Sequence, residues 1–270
     1  MACSHDCNNC SENCAEKGKP HDFALKLNAH SKVGKVIAVA SGKGGVGKSL
    51  VTTLLAVAAA KRGLKVGVLD ADVTGPSIPK AFGLSGGCFQ DERGILPKRS
   101  TSGIDVMSLN QLVENPQDPG VWRGPVIAGC VGQFWTDVFW GEKDVVFVDM
   151  PPGTGDVPLT VFQSLPADGV VVVASPQELV GMIVEKSVRM CEMMKKKIVG
   201  LVENMSYFTC PDCGKKLEIF GASRAGEIAA KHGIAHVARI PIDPAIAQAV
   251  DAGAVETLEG DWLDELAAAL

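Results

Sequence analysis

The chain contains 270 residues with a formal net charge of -5, and 46% of its residues are hydrophobic and 21% charged. This balance is typical of a globular protein of one large domain or two small ones, and the acidic excess argues against broad nucleic-acid binding, which needs a basic surface. We expect a cytoplasmic protein, because the N-terminus lacks the apolar core of a signal peptide and no apolar run approaches the roughly 18 residues of a transmembrane helix.

Residues 1–20 form a tail with almost no large apolar side chains, and it contains four of the nine cysteines. These are Cys3, Cys7, Cys10 and Cys14. In a helix they would share one face about 16 Å long, at about 1.5 Å per residue, which is too long to enclose one metal cluster. A tail that folds back could hold a second cluster, while zinc or no ligand are the alternatives. We expect residues 1–32 to be this cysteine-rich tail and its linker, and residues 33–270 to be the folded domain.

A glycine-rich loop lies between the apolar β-branched run 36–40 and the Leu-, Val- and Ala-rich stretch 50–62. Strand, loop and helix in this order are the context of a phosphate-binding loop, in which backbone N–H groups and the helix N-terminus face a phosphate. The loop consists of Gly42, Lys43, Gly44, Gly45, Val46, Gly47, Lys48 and Ser49. We expect Lys48 to reach the β- and γ-phosphates and Ser49 to ligate Mg²⁺.

The rest of the chain alternates between strands and helices, which predicts an α/β fold with a doubly wound, mainly parallel sheet. The strands are apolar throughout, as expected where helices cover both faces of a sheet. The predicted strands are 65–70, 104–109, 144–149, 169–174, 197–202 and 236–240, and the predicted helices are 125–140, 158–165, 177–195, 223–232 and 244–252. Residues 84–103 are richer in glycine, serine and charge, and we expect an excursion there, such as a hairpin, at the edge of the sheet.

Acidic residues follow two of the predicted strands. Asp149 ends one strand and precedes a Pro-Pro-Gly-Thr-Gly turn, which is the position of a Walker B aspartate that holds Mg²⁺ through water. Asp70 and Asp72 end another strand, and we favour Asp72 for orienting the attacking water because it lies further into the loop. An ordinary acid at a helix start is the alternative. Asn204 and Asp243 follow later strands and could contact the purine base, or could be turn residues.

Cys210 and Cys213 form a Cys-x-x-Cys pair, and no cysteine follows it. A zinc ribbon needs a second pair downstream, so one chain offers half a metal site, whereas two chains offer four thiolates, the usual complement of a [4Fe–4S] cluster. Zinc bridging two chains is the main alternative, and a dithiol redox pair is a weaker one. Elsewhere, Cys130 and Cys191 fall in apolar helical patterns and are expected in the core.

Together these motifs resemble the Mrp/ApbC family of iron–sulfur carrier ATPases, in the deviant Walker A class with the Min-type and nitrogenase-iron-protein ATPases. The resemblance runs from about Val33 to the C-terminus. It is carried by residues 42–49, 70–72, 75–79, 122–125, 149–156, 175–178 and 203–208, and by the cysteine pair. It implies the family's mainly parallel sheet, an adenine contact from Asn204, a [4Fe–4S] cluster at the cysteine pair, and an ATP-bound dimer in which Lys43 reaches the other subunit's phosphates.

The predicted function is an ATP-dependent carrier or scaffold that assembles [4Fe–4S] clusters or transfers them to apo-proteins. It would act as a homodimer with ATP and Mg²⁺, use Lys43, Lys48 and Asp72 in catalysis, and hydrolyse ATP slowly without a partner. A Min- or Par-type positioning switch is one alternative, but the amphipathic segment 261–270 carries three acids and no base, which anionic lipid would repel. A reductase like the nitrogenase iron protein is another, although its cluster is bridged by widely spaced single cysteines.

Overall fold

The structure, a computed structural model, describes residues 25–72, 77–112, 124–179 and 182–270. Within these residues the strands are β1 (Lys32–Ser41), β2 (Val66–Asp70), β3 (Phe89–Asp91), β4 (Gly94–Leu96), β5 (Lys98–Arg99), β6 (Asp105–Ser108), β7 (Glu142–Asp149), β8 (Gly169–Ala174), β9 (Ile198–Glu203), β10 (Phe208–Thr209), β11 (Lys216–Leu217) and β12 (Val237–Arg239). The helices are α1 (Lys48–Lys61), α2 (Ser77–Ala81), α3 (Gly124–Thr136), α4 (Asp156–Ser164), α5 (Pro176–Leu179), α6 (Met182–Met193), α7 (Ala225–His232), α8 (Pro244–Asp251) and α9 (Asp264–Ala269). Two 3₁₀ turns, Leu109–Gln111 and Val255–Thr257, complete the described elements.

One sheet of eight strands has the order β12-β9-β8-β1-β7-β2-β6-β5. All neighbouring pairs are parallel except β5 and β6, which are antiparallel at one edge. The predicted parallel sheet is therefore confirmed. Because the parallel strands point the same way, the residues that follow β1, β2, β7 and β9 emerge at the same edge of the sheet.

Alternate residues of the central strands face two opposite layers of helices, and each layer contributes a core. Ile37 and Val39 belong to the core that contains buried side chains of α1, α2, α8 and α9. Val36 and Ala38 belong to the core that contains buried side chains of α3, α4, α6 and α7. Both faces of the sheet are therefore buried, which explains why its strands are apolar throughout instead of alternating with polar residues.

The predicted elements are found in the sheet and its helix layers, with ends displaced by a few residues. The predicted excursion at 84–103 is also confirmed, because β3 and β4 form an antiparallel hairpin and β5 pairs at the sheet edge. The long helix predicted at 177–195 is described in two parts, α5 and α6. The short helix α2 was not expected from the sequence, since it has five residues and includes a proline.

The residues just before β1 pack on the domain. The Leu25 backbone N–H donates to Ser164 at 2.9 Å, and the Asn28 backbone N–H donates to Trp135 at 3.1 Å. The Asn28 side chain is buried and donates to the Arg93 carbonyl at 3.0 Å. The described end of the predicted linker is therefore held against α3 and α4, whereas the four tail cysteines lie outside the described residues.

The C-terminal helix α9 turns its apolar face to the core. Leu266 and Ala267 are buried in the layer that also contains α1. A side chain at Gly200, on β9, would lie 2.6 Å from Leu266, so helix and sheet are in close contact. Among the described helices, none combines the length and the apolar character that a bilayer crossing requires.

Candidate functional site

The glycine-rich loop connects β1 to α1 at the carboxyl edge of the sheet. Gly45 and Gly47 have φ angles of 85° and 81°, in the left-handed region that favours glycine. A Cβ atom at Gly47 would also lie 2.1 Å from the Asn204 Nδ2 atom. The loop borders an open cleft with a volume of about 380 Å³. This is the geometry expected of a phosphate-binding loop, with the backbone curled at the start of a helix.

Lys48 lies where the loop meets two carboxylates. Its Nζ atom is 2.8 Å from Asp149 Oδ2 and 3.4 Å from Asp72 Oδ2. The side chain is only 5% exposed, so both ion pairs lie in a region of low dielectric constant, where charge interactions are strong. The structure therefore brings together Lys48, Asp72 and Asp149, which the sequence placed on three different elements.

Asp149 is fully buried, and both of its oxygen atoms accept hydrogen bonds from α1. Ser49 Oγ donates to Oδ2 at 2.6 Å, and Thr52 Oγ1 donates to Oδ1 at 2.7 Å. A hydroxyl and a carboxylate this close can serve one Mg²⁺, with Ser49 as a direct ligand and Asp149 acting through water. Thr52 was not predicted, although its position one helical turn after Lys48 places it on the same face of α1.

Asp70 supports the loop that carries Asp72. Asp70 and Asp149 are paired residues of neighbouring strands, and Asp70 is buried. It accepts hydrogen bonds from Ser108 Oγ at 2.8 Å and from the Asp72 backbone N–H at 3.1 Å. Burial, followed by the charge of Asp149, raises the pKa of Asp70 well above its usual value. Asp72, and not Asp70, lies on the cleft, as the prediction for the water-orienting acid requires.

Asn204 and Asp243, which were predicted to lie near the purine base, are not among the residues that line the cleft. The Asn204 side chain is buried, and its Nδ2 atom donates to the Val46 carbonyl at 2.9 Å, beneath the phosphate loop. The Asp243 carboxylate caps α8 by accepting from the Ala245 backbone N–H at 2.8 Å. The structure thus gives Asp243 the turn role that the sequence left open, and adenine contact by Asn204 stays a prediction.

Other residues along the cleft combine predicted and unpredicted positions. Lys43 lies on the cleft, and its carbonyl accepts a hydrogen bond from Ser41 Oγ at 2.9 Å. Pro152, from the turn after Asp149, also lines the cleft. Leu50, Ser77, Ala81 and Val250 also line the cleft, although the sequence assigned no site role to them. Ser77 lies in the 75–79 motif and Leu50 directly follows the phosphate loop, whereas no motif marks Ala81 and Val250, because α2 and α8 reach the cleft through the tertiary fold.

Cys210 and Cys213 lie on a small hairpin formed by β10 and β11. The loop is closed by hydrogen bonds from the Cys210 N–H to the Lys215 carbonyl, at 3.0 Å, and from the Gly214 N–H to the Cys210 carbonyl, at 2.9 Å. Cys213 is exposed and Cys210 is partly exposed. The described part of the chain contains no group of three or more His, Cys, Asp or Glu side chains arranged for a metal ion. The hairpin therefore presents two accessible thiols, and their role as metal ligands stays a prediction.

Hydrogen bonds within the hairpin lower the pKa of the Cys210 thiol. The backbone N–H of Cys213, then that of Asp212, then the Cys213 thiol, lower the pKa of Cys210. Hydrogen bonds to a sulfur stabilise the thiolate, which is the form that binds metals. In contrast, burial raises the pKa of Cys191 to about 12, and this thiol lies in the core as predicted. Cys130 is partly buried and packs against the same core.

Several known proteins are similar to this chain in sequence and in fold. A family model described as "ParA: NUBPL iron-transfer P-loop NTPase" matches residues 32–267. An iron-sulfur cluster carrier protein of Methanocaldococcus jannaschii is 43% identical over 259 residues, which are 93% of this chain and 89% of the relative. The cytosolic Fe-S cluster assembly factor CFD1 of Eremothecium gossypii is 39% identical over 239 residues, 85% of each chain. The solved structure of a nucleotide-binding protein from Archaeoglobus fulgidus, in complex with ADP, has a TM-score of 0.79 and 46% identity, and the match covers 86% of this chain and 91% of that chain.

Proposed function

This chain belongs to the ParA family of NUBPL iron-transfer P-loop NTPases, and from that membership we propose that it is an ATP-hydrolysing carrier of [4Fe–4S] clusters. It assembles clusters or transfers them to apo-proteins in the cytoplasm. The observation that carries the proposal is a pair of accessible thiols, the partly exposed Cys210 and the exposed Cys213, on a small hairpin that follows β9 of the sheet that also carries the phosphate loop. The names of the relatives support the cargo and the compartment, since one is an iron-sulfur cluster carrier protein and the other is a cytosolic Fe-S cluster assembly factor.

The phosphate loop binds the nucleotide through residues of this chain. Its backbone N–H groups and the N-terminus of α1 hold the phosphates, and Lys48 turns from its carboxylate partners toward the γ-phosphate. Ser49 directly, and Asp149 through water, would hold Mg²⁺, which would supply positive charge to the phosphate oxygens. Asp72 orients the attacking water and accepts its proton. Support comes from the convergence of these side chains within hydrogen-bonding reach of one another.

A homodimer completes both sites. Lys43 of one protomer reaches the phosphates bound by its partner, which makes hydrolysis slow until two chains meet. Two copies of the Cys210 and Cys213 hairpin supply four thiolates, which is the ligand set of one [4Fe–4S] cluster. The exposure of both cysteines supports this arrangement, because an exposed sulfur is available to a cluster shared with a second chain.

The described surface favours the carrier over the two alternative functions. A membrane-binding switch would need a free amphipathic helix, but the apolar residues of α9, Leu266 and Ala267, are buried against the domain. A reductase like the nitrogenase iron protein would hold its cluster through widely spaced cysteines, whereas here the two thiols are three residues apart on one hairpin. A positioning role and an electron-donating role therefore have less support than cluster transfer.

The test is anaerobic reconstitution with ferrous iron and sulfide, followed by incubation with an apo-enzyme that regains activity on receiving a [4Fe–4S] cluster. We expect a brown protein that activates the acceptor. The double variant with Cys210→Ser and Cys213→Ser should lose this transfer, whereas Cys130→Ser, which changes a partly buried thiol elsewhere, should keep it. A double variant that transfers clusters as well as the parent protein would remove the hairpin from the mechanism. Zinc binding without iron–sulfur assembly would instead favour the zinc alternative.

A further inference from the structure

An arginine on the edge strand connects the sheet to the cysteine hairpin. Arg239 lies on β12, in register with Glu203 on β9. Its Nε atom donates to Glu203 Oε2 at 3.2 Å and to Ser206 Oγ at 2.6 Å. Its Nη2 atom donates to the carboxylate of Glu218, which directly follows β11. One planar guanidinium therefore holds the end of the sheet through Nε and the hairpin through Nη2.

Glu203 fixes the position of this guanidinium. The glutamate is fully buried, and its Oε2 atom also accepts a hydrogen bond from Ser206 Oγ. Among the residues that the structure describes, its Oε1 atom has no hydrogen-bond partner. A buried carboxylate is costly unless a cation compensates it, so Arg239 is strongly held at Glu203. The location of Arg239 is therefore set by the sheet, and the hairpin follows the location of Arg239.

An aromatic ring gives the hairpin a second attachment to the same arginine. The guanidinium carbon of Arg239 lies 5.6 Å from the centre of the Tyr207 ring, and Lys216 Nζ lies 4.5 Å from it. Tyr207 directly precedes β10 and Lys216 begins β11, so residues at both ends of the hairpin contribute to this stack. Cation–π contacts of this kind are attractive and help to hold the hairpin against Arg239.

The same segment is attached to the phosphate loop at its other end. Asn204, next to Glu203, donates to the Val46 carbonyl of the loop at 2.9 Å. Met205, between Asn204 and Ser206, has a φ of 57°, a left-handed conformation that is unfavourable for a residue other than glycine. This turn is thus held by the phosphate loop on one side and by Arg239 on the other. A shift of Asn204 would be transmitted through it to the hairpin.

We propose that Arg239 is a positioning residue through which nucleotide at the phosphate loop controls the exposure of Cys210 and Cys213. The inference rests on the proposed function, because it takes the loop as a nucleotide site and the thiols as ligands. It adds the connection between them. Bound nucleotide fixes the position of Asn204, and the turn at Met205 transmits that position to Ser206. Arg239 and Glu218 then hold the hairpin in the orientation that this turn sets. Coupling between two sites then appears within one chain, before any dimer forms.

The coupling is measured by alkylation of the reduced, metal-free, full-length protein with iodoacetamide, followed by peptide mass spectrometry at Cys210 and Cys213. Saturating Mg–ADP should slow alkylation by about fivefold, the lower end of typical coupling between sites. Glu218→Gln removes the charge but keeps the shape, and should reduce that change to less than about twofold. ADP affinity, measured separately by calorimetry, should change by no more than about fivefold in this variant, because the coupling is reciprocal and Glu218 does not line the cleft.

A matched control and a conservative variant separate positioning from general stability. Glu185→Gln removes a glutamate of nearly equal exposure, 37% against 36%, whose partners are Lys231 and His232. It should keep the full response to ADP, whereas Arg239→Lys, which retains the charge but not the fork, should lose most of it. The proposal is overturned if ADP binds without changing alkylation, or if Glu218→Gln and Arg239→Lys keep the parent response. A protein that fails to bind ADP at all would overturn the proposed function, and this inference with it.

Discussion

The phosphate loop and the cysteine hairpin differ in how much of each site one chain supplies. At the loop, Lys48 and Asp149 are buried and already paired, and Ser49 contacts the same carboxylate. At the hairpin, Cys213 is exposed and Cys210 is partly so, with two sulfurs available for a metal. The side chains of the phosphate loop are thus already assembled within the fold, whereas the proposed cluster site would need further ligands from outside the chain. A carrier benefits from this difference, because a surface cluster can be passed on while the ATP site stays intact.

The largest effect is expected from Lys48→Ala. The β- and γ-phosphates would lose their charge-assisted hydrogen bonds from Lys48. These bonds are worth about 4 kcal/mol together, or roughly a thousandfold in affinity. Its removal also leaves Asp149 without its cation in a buried site, so thermal stability should fall as well. Calorimetric titration with a non-hydrolysable ATP analogue, which carries both phosphates, measures the affinity. Lys61→Ala, on the exposed end of the same helix, is the control, and similar affinities in the two variants would place the phosphates elsewhere.

Asp72→Asn should separate chemistry from binding at the same cleft. The amide keeps the shape of the side chain but cannot accept a proton, so the turnover number should fall by about a hundredfold while ADP still binds. Phosphate release under saturating Mg–ATP measures the rate. Glu192→Gln changes an exposed acid on α6, outside the nucleotide motifs, and should leave the rate unaltered. An unchanged turnover number in Asp72→Asn would remove this residue from the mechanism.

Two cysteine substitutions should show opposite effects in the two regions. Cys210→Ser should lose the iron of the hairpin, yet change the free energy of unfolding by less than about 0.5 kcal/mol because the site is at the surface. Cys191→Ser should keep the iron but lower the free energy of unfolding by about 1–3 kcal/mol, since it places a hydroxyl in the apolar core. Iron analysis and urea unfolding measure both quantities. Equal loss of stability in the two variants would show that the hairpin is part of the cooperative core.

The smallest effect is expected from Asp70→Asn, and it depends on pH. Because burial and Asp149 raise the pKa of Asp70 well above 3.8, the folded protein keeps this proton where the unfolded chain has lost it. The free energy of unfolding therefore falls as pH rises from 3.8 to the folded pKa, and this contribution is level above it. Asparagine does not ionise, so the stability of the variant relative to the parent should increase across that window. Parallel stability curves would mean that Asp70 has an ordinary pKa.

The sequence predicts the fold and the phosphate loop well because both depend on local patterns. Unbroken apolar runs indicate strands that are covered on both faces. The loop needs glycines because its backbone adopts positive φ angles that favour glycine. Contacts between distant residues could not be predicted this way. Asn204 lies under the loop through a hydrogen bond to Val46, 158 residues away, and Arg239 joins strands and hairpin through three separate segments. Such contacts follow from the packing of the sheet and leave no motif in the sequence.

The central claim is that two chains share one cluster at the hairpin. It is tested most directly by native mass spectrometry of the reconstituted full-length protein in which the four tail cysteines, outside the described residues, are changed to serine. These substitutions are Cys3→Ser, Cys7→Ser, Cys10→Ser and Cys14→Ser. We predict the mass of two chains with one four-iron, four-sulfide cluster, and separation into monomers when Cys213→Ser is added. Monomers that each carry a complete four-iron cluster would contradict the account.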